Sequence, residues 1–403
     1  MTSTPLSRRG QVEPFHVMEL LKAAHARARS VGDVLTMCAG QPSTPAPVAV
    51  REAAAAALAS GDPLGYTEAI GLLALREAIA QHYREAYGVV VDPARVAVTT
   101  GSSAAFTALF LAAFDPGDTV LMTRPGYPAY RNTLAALGCR PVELACGPEV
   151  RFQPTLAMVQ EWAAAHGGPP QGLIIASPAN PTGTVIDPLE LAAIARWCAA
   201  QGVLLVSDEI YHGITFGGER TSSALESTDQ AAVVGSLSKY YSMTGWRVGW
   251  VILPAALVRP VELLLGNLNI CAPHLAQVAG VAAFGPQARA ELDGHVRRYA
   301  ANRDLVLARL PELGVATWAP ADGAFYAYAD ISHLTQDSYQ WCFDVFDATG
   351  VAVTPGVDFA PHRPGDDSPL DGSRWFRLSF AGTTDEADEA MSRLAAYVGA
   401  RAG

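Results

Sequence analysis

Lysine is almost missing from this chain. Only Lys22 and Lys239 carry a primary amine among 28 basic residues, and all the others are arginines. Arginine stays protonated and does not readily form an imine, so a position that keeps an amine is a candidate for chemistry a guanidinium cannot do. Lys22 lies in a helical pattern, Val17 to Ala28, three residues after Glu19, and reads as a solvated helix face. Lys239 sits among hydroxyls, glycines and one arginine, directly after the apolar stretch Ala231 to Gly235. Paired cysteines are missing too: Cys38, Cys139, Cys146, Cys198, Cys271 and Cys342 form no CxxC, which argues against a zinc site or a compact disulfide scaffold, and no metal is expected. A net charge of −11 argues against nucleic acid or an anionic membrane as partner. The longest apolar run, Ala104 to Phe114, is too short to span a bilayer. Arg8-Arg9 has the look of a twin-arginine export signal, but Gln11, Glu13, Pro14 and His16 break the apolar run such a signal needs; a cytoplasmic location is expected.

What the chain does have is ample core material, 50% hydrophobic against 17% charged. Short β-branched runs recur at Val96 to Val98, Val120 to Met122, Leu173 to Ile175, Val203 to Val206, Val233-Val234 and Val248 to Leu253. Between several of them, Ser103 to Phe114, Tyr130 to Leu137 and Pro188 to Ala200 suit crossover helices. This alternation predicts an α/β fold with a mostly parallel, doubly wound sheet, whose ligand sits at the carboxyl ends of the strands. Residues 61–289 are expected to form this large domain, and 1–60 with 290–403 a smaller α+β domain with short strands near Ala324 to Ala329 and Phe376 to Phe380.

Four strand ends then carry polar chemistry toward one crevice. Thr100-Gly101-Ser102-Ser103 opens a helix, either as an ordinary cap or as a phosphate cradle. Ser236, Ser238 and Arg247 favour the cradle, because hydroxyls and a guanidinium would neutralise a phosphate from its other side. Asp208 ends a buried strand, where it either caps a turn or pairs with a cation such as a protonated ring nitrogen. Tyr211 and Asn180 are placed to bond a ring oxygen, although Asn180-Pro181-Thr182-Gly183 is also an ordinary turn sequence. A phosphate, a ring nitrogen, a ring oxygen and an aldehyde awaiting Lys239 together describe pyridoxal 5′-phosphate.

The chain also resembles a known family over most of its length, from about Pro14 onward. The resemblance is carried by Ala39-Gly40-Gln41-Pro42, Gly65-Tyr66-Thr67, Leu75 to Ala80, Asn180 to Gly183, Ser207-Asp208-Glu209-Ile210-Tyr211, Ser236-Leu237-Ser238-Lys239 with Arg247, and Arg377 to Ala381. These segments resemble the class I aminotransferases, fold-type I pyridoxal-phosphate enzymes, and among them the bacterial aspartate, alanine and valine type. The resemblance implies a seven-stranded sheet and ping-pong transfer of an amino group between an L-amino acid and a 2-oxo acid. It implies that Lys239 bonds the cofactor aldehyde and then carries a proton from the substrate Cα, while Asp208 keeps the ring nitrogen protonated. By the same resemblance Asn180 and Tyr211 bond the ring oxygen, Asn180 also belongs to the substrate site, and Tyr127 stacks on the ring. Ser102, Ser103, Ser236, Ser238 and Arg247 hold the phosphate; Tyr66 reaches the phosphate in the partner subunit of a homodimer; Arg377, helped by Gly40, grips the substrate carboxylate.

Substrate preference rests on another shortage. In relatives that handle acidic substrates, the resemblance places a lysine in the glycine-rich loop, and the matching position here is Ser103. With the apolar segment Pro14 to Met18 and Phe359 as expected walls, the donor is expected to be neutral and aliphatic, alanine or valine, with pyruvate as acceptor. Aspartate is the alternative, if Arg29 or Arg131 enters the pocket. A pyridoxal-phosphate lyase and a ligand-sensing regulator domain are further alternatives, the second opposed by the acidic charge and the lack of a basic module in front.

Overall fold

The computed structural model describes residues 6–363, 365 and 367–402. Along the first half run α1 (His16–Ser30), β1 (Leu35–Thr36), α2 (Val48–Ala59), α3 (Leu73–Tyr87), β2 (Val96–Thr99), α4 (Gly101–Ala113), β3 (Thr119–Arg124), α5 (Pro128–Leu137), β4 (Arg140–Ala145), α6 (Leu156–Ala165) and β5 (Gly172–Ala176). Next come α7 (Pro188–Gln201), β6 (Leu204–Asp208), β7 (Ala232–Ser236), β8 (Gly249–Ile252), α8 (Ala255–Leu268), α9 (His274–Ala282) and α10 (Pro286–Arg309). The chain closes with β9 (Tyr326–Asp330), α11 (Ser338–Thr349), β10 (Val351–Ala352), β11 (Thr354–Pro355), β12 (Trp375–Ser379) and α12 (Thr384–Ala402).

Seven strands form the large sheet in the order β2-β8-β7-β6-β5-β3-β4. Only β8 runs against its neighbours, β2 and β7. The central strands are apolar on almost every residue because both faces are covered. Alternate residues divide between two cores: Leu173, Ile175 and Leu205 face one, Ile174, Val206 and Val234 the other. The strand β4 escapes the sequence pattern. It is an edge strand, exposed at Arg140 and Ala145, and so lacks a continuous apolar run.

A three-stranded antiparallel sheet, β11-β12-β9, and a parallel pair, β1-β10, build a third core with α1, α11 and α12. The expected division at residue 60 leaves α2 on this side, yet Val50 and Ala54 of α2 are buried in the core of the large sheet, where the helix lies along α9. An alanine-rich helix advertises helicity without naming the surface that covers it.

The sheet direction positions the chemistry. The carboxyl ends of β2, β3, β5, β6 and β7 open onto one edge, and the reversal of β8 sets its first residue, Gly249, beside Thr99 and Ser236 on that same edge. Arg247, two residues before Gly249, therefore reaches the rim occupied by Gly101 and Ser238.

Candidate active site

A cavity of about 570 Å³ opens at this edge, between the large sheet and the core of the small one. Its wall includes Ser102, Ser103, Tyr127, Asn180, Asp208, Tyr211, Ser238, Lys239, Arg247, Gly40 and Arg377, so residues expected from several strand ends do converge. Two of the residues expected at the cofactor lie outside this wall. Ser236 is buried behind the wall, its hydroxyl donating to the Val248 carbonyl and accepting from the Ser238 amide, which shapes the turn that presents Ser238. Tyr66 is 82% exposed on the outer surface and does not line the cavity.

At one end, α4 starts at Gly101 with no side-chain cap from Thr100, which leaves its first-turn amides facing the cavity rim. Gly101 adopts φ +75°, and a Cβ there would lie 2.3 Å from an Arg247 nitrogen, so only glycine lets the guanidinium sit over the helix start. Arg247 donates to the Thr244 carbonyl at 3.0 Å and touches the Ser238 hydroxyl at 3.5 Å; no carboxylate pairs with it among the described residues. A helix N-terminus, two serines and an unneutralised guanidinium suit a phosphate dianion.

At the closed end, Asp208 accepts from the Ile210 amide at 3.1 Å and from the hydroxyl of Tyr130. Burial pushes its carboxyl up to about 6, opposed by those two bonds and by Lys239. A buried carboxylate whose ionised form lacks a close cation suits a protonated ring nitrogen. Between these ends lies Lys239, donating to the Gly40 carbonyl. Burial, then Arg377 and Arg247, push its amine down to about 8 against the pull of Asp208.

Arg377 is held by three acceptors and two rings. Its terminal nitrogens donate to Asn180 Oδ1 at 2.7 Å, the Cys38 carbonyl at 2.6 Å and Thr354 Oγ1 at 3.2 Å. Its guanidinium lies between the rings of Tyr326, 4.3 Å from the centroid, and Phe359, 4.8 Å. Buried Nε finds no partner among the described residues. Tyr211 and Tyr326 share a hydroxyl contact of 2.6 Å, and Tyr326 also explains Gly40, where a Cβ would lie 2.2 Å from the Tyr326 hydroxyl. Neither Tyr130 nor Tyr326 stands out in the sequence; the spacing of Tyr127 and Tyr130 across one helical turn is the available signal for the first. Phe359, expected in the wall, is instead fully buried beneath Arg377. The charges, hydroxyls and volume thus fit pyridoxal phosphate with a small amino acid.

The sequence model of the family described as aminotransferase class I and II matches residues 32–394. The chain belongs to this family. It is 50% identical over 391 residues to the valine–pyruvate aminotransferase of Mycobacterium tuberculosis, covering 97% of each chain. It is 32% identical to the aspartate/prephenate aminotransferase of Thermus thermophilus, covering 98% of this chain and 99% of that one. Among solved structures, an aminotransferase from Mycobacterium tuberculosis superposes with a TM-score of 0.93 at 49% identity, covering 99% of this chain and all of that one. Aspartate aminotransferase from Thermus thermophilus with maleate gives a TM-score of 0.89 at 31% identity, covering 98% of this chain and all of the other. The fold, the transaminase activity and the dependence on pyridoxal phosphate expected from the sequence are those of this aminotransferase class.

Proposed function

We propose that this aminotransferase takes the amino group from a neutral aliphatic amino acid, valine or alanine, and gives it to pyruvate or a similar 2-oxo acid. The carrying observation is the cation inventory of the cavity: among the described residues its wall holds Lys239, Arg247 and Arg377 and no other lysine or arginine. Each has a proposed task, so none is left for a distal carboxylate. Arg131, the candidate for that task, does not line the cavity and is paired with Glu143 at 2.9 Å, and Arg29 is exposed on the last turn of α1. The side-chain end is closed by Phe15, Val17, Met18 and Leu21, which reward apolar burial. The valine–pyruvate activity in the name of the relative 50% identical to this chain points the same way.

In this reading Arg377 clamps the α-carboxylate, with its planar fork fixed in advance by Asn180, Cys38 and the two flanking rings. Ser102, Ser103, Ser238 and Arg247 hold the phosphate, and Ser236 acts by shaping the turn. Asp208 balances the ring nitrogen; Asn180 and Tyr211 bond the ring oxygen; Tyr127 stacks on the ring. Pyridoxal phosphate, when bound, supplies the electrophilic carbon and the electron-accepting ring. Lys239 takes the proton from Cα, a task suited to an amine brought near neutrality.

We further place the working unit as a homodimer. Tyr66, Leu268 and Ile270 are exposed in a region where Gly65 bonds His274 at 2.7 Å, and a second copy laid there would cover them and bring Tyr66 to its partner's phosphate. No described helix is long and apolar enough to cross a membrane. All six cysteines are free, which suits the reducing cytoplasm. The test is a screen of half-reactions: loss of the visible band of the bound cofactor should be rapid with valine and alanine and slow with aspartate. Rapid bleaching by aspartate alone would replace this reading with the acidic one.

A further inference from the structure

The helix that closes the side-chain end of the cavity has no cap of its own. Phe15 precedes α1 and has no side-chain acceptor for the first-turn amides; its carbonyl takes only that of Met18, at 2.9 Å. Those of His16 and Val17 donate instead to the two oxygens of one distant carboxylate, Asp358, at 2.8 and 2.9 Å. Asp358 is 2% exposed and lies in the Gly356–Asp358 turn after β11. The same turn is tied to the rest of the site. Its Asp358 carbonyl accepts from Arg131 at 3.3 Å, the next carbonyl, of Phe359, accepts from the Gly126 amide at 3.0 Å, and the Phe359 ring supports Arg377. From α1 come Val17, Met18 and Leu21 of the cavity wall; Phe15, just before it, meets the edge of Tyr127 at 6.0 Å.

We infer that Asp358 is a positioning residue for donor selection: its carboxylate holds the head of α1 over the side-chain end of the cavity while touching neither substrate nor cofactor. The inference rests on the neutral-donor reading above for its choice of substrates. Two charge-assisted bonds to adjacent amides, at the positive end of a helix, fix position and direction together. Asparagine keeps the shape but supplies one acceptor, and turns an N–H toward an N–H. The wall from Phe15 to Leu21 then loosens, and because apolar stabilisation scales with buried area, valine loses more than alanine.

The test uses the cofactor-loaded Asp358→Asn enzyme in half-reactions with alanine, 2-aminobutyrate and valine, together with amide hydrogen exchange with and without pyridoxal phosphate. Exchange in the first turn of α1 should quicken roughly tenfold, as for loss of a helix cap, and half-saturating valine should rise about tenfold with alanine changing less than about threefold. The limiting rate and the visible band should stay within about twofold, since no transition-state contact is removed. Unchanged exchange, equal loss for every donor, or loss confined to the limiting rate overturns the inference. So does a variant that fails to fold or in which α12 loses protection as fast as α1, because Asp358 would then serve general stability. If the unaltered enzyme ignores valine and alanine, the donor reading fails separately; the exchange result still decides the tether, and side-chain dependence is then read on the donors it accepts.

Discussion

The hydroxyl of Tyr130 donates to the carboxylate of Asp208 at the closed end of the cavity. One oxygen of Asp208 thereby meets a phenol and the other the Ile210 amide, two bonds that favour the ionised form against burial.

Tyr130→Phe removes one of them. The Asp208 carboxyl of the cofactor-free protein then rises above its value of about 6, and less carboxylate is available to meet a ring nitrogen. Pyridoxal phosphate should bind about tenfold more weakly, the usual cost of a lost bond to a charged group. The loss should be larger at pH 6 than at pH 8, and equilibrium binding at the two values checks it. An equal loss at both would mean that Tyr130 acts by shape alone.

Lys239→Arg keeps a positive charge and removes the amine. The variant should fold, lose its cofactor on dialysis, give no covalent adduct after borohydride reduction, and turn over at least about 10³-fold more slowly. A stable yellow variant that still turns over would refute the assignment of Lys239.

Glu209, next to Asp208, gives a pH dependence of stability. One of its oxygens accepts from Ser207, Ser223 and the Ala224 amide, each at 3.0 Å, and burial still pushes its carboxyl up to about 8. The unfolded chain releases this proton near 4.5. Between those values the folded state binds more protons, so the contribution is full below pH 4.5 and is lost as pH rises toward 8. Glu209→Gln stays neutral and should flatten the fall, which for one group is at most about 1.4 kcal/mol per pH unit. Urea unfolding of the cofactor-free protein at pH 6.5 and 8, above the range where Asp208 adds a slope of the same sign, measures it. Identical slopes would show that Glu209 is ionised in the fold.

Ser103→Lys supplies the missing cation at the cavity wall. The ratio of half-reaction rates, aspartate over valine, should rise at least about tenfold, the order expected for a charge-assisted contact. No rise would place the distal end of the donor away from α4.

Much of this was legible in the sequence because a doubly wound sheet delivers polar residues to one edge. Lys239, Asp208, Asn180 and Arg247 each come after an apolar run or stand at its start, and the topology does the rest. Tyr130 and Tyr326 were hidden because an aromatic on a helix or strand reads as core, and only the packed structure shows which hydroxyl meets a carboxylate or another phenol. Ser236 was legible as a strand end but not as a turn builder, since a hydroxyl can serve its own backbone before any ligand. Phe359 has the composition of a pocket wall and the position of a support. The strand β4 leaves no apolar run in the sequence for want of a second covered face.

The reversed strand β8 carries one more consequence. Among the described strands it is the only neighbour of β2, so β2 stays an unpaired edge until nearly the whole sheet has been synthesised. Such a non-local pairing is slow to form. Gly101 comes after β2 and Arg247 precedes β8, so the two sides of the anion cradle meet only when that last strand enters. In the proposed reading, where this cradle holds the cofactor phosphate, capture of that phosphate waits on the last strand and so reports that the sheet is whole.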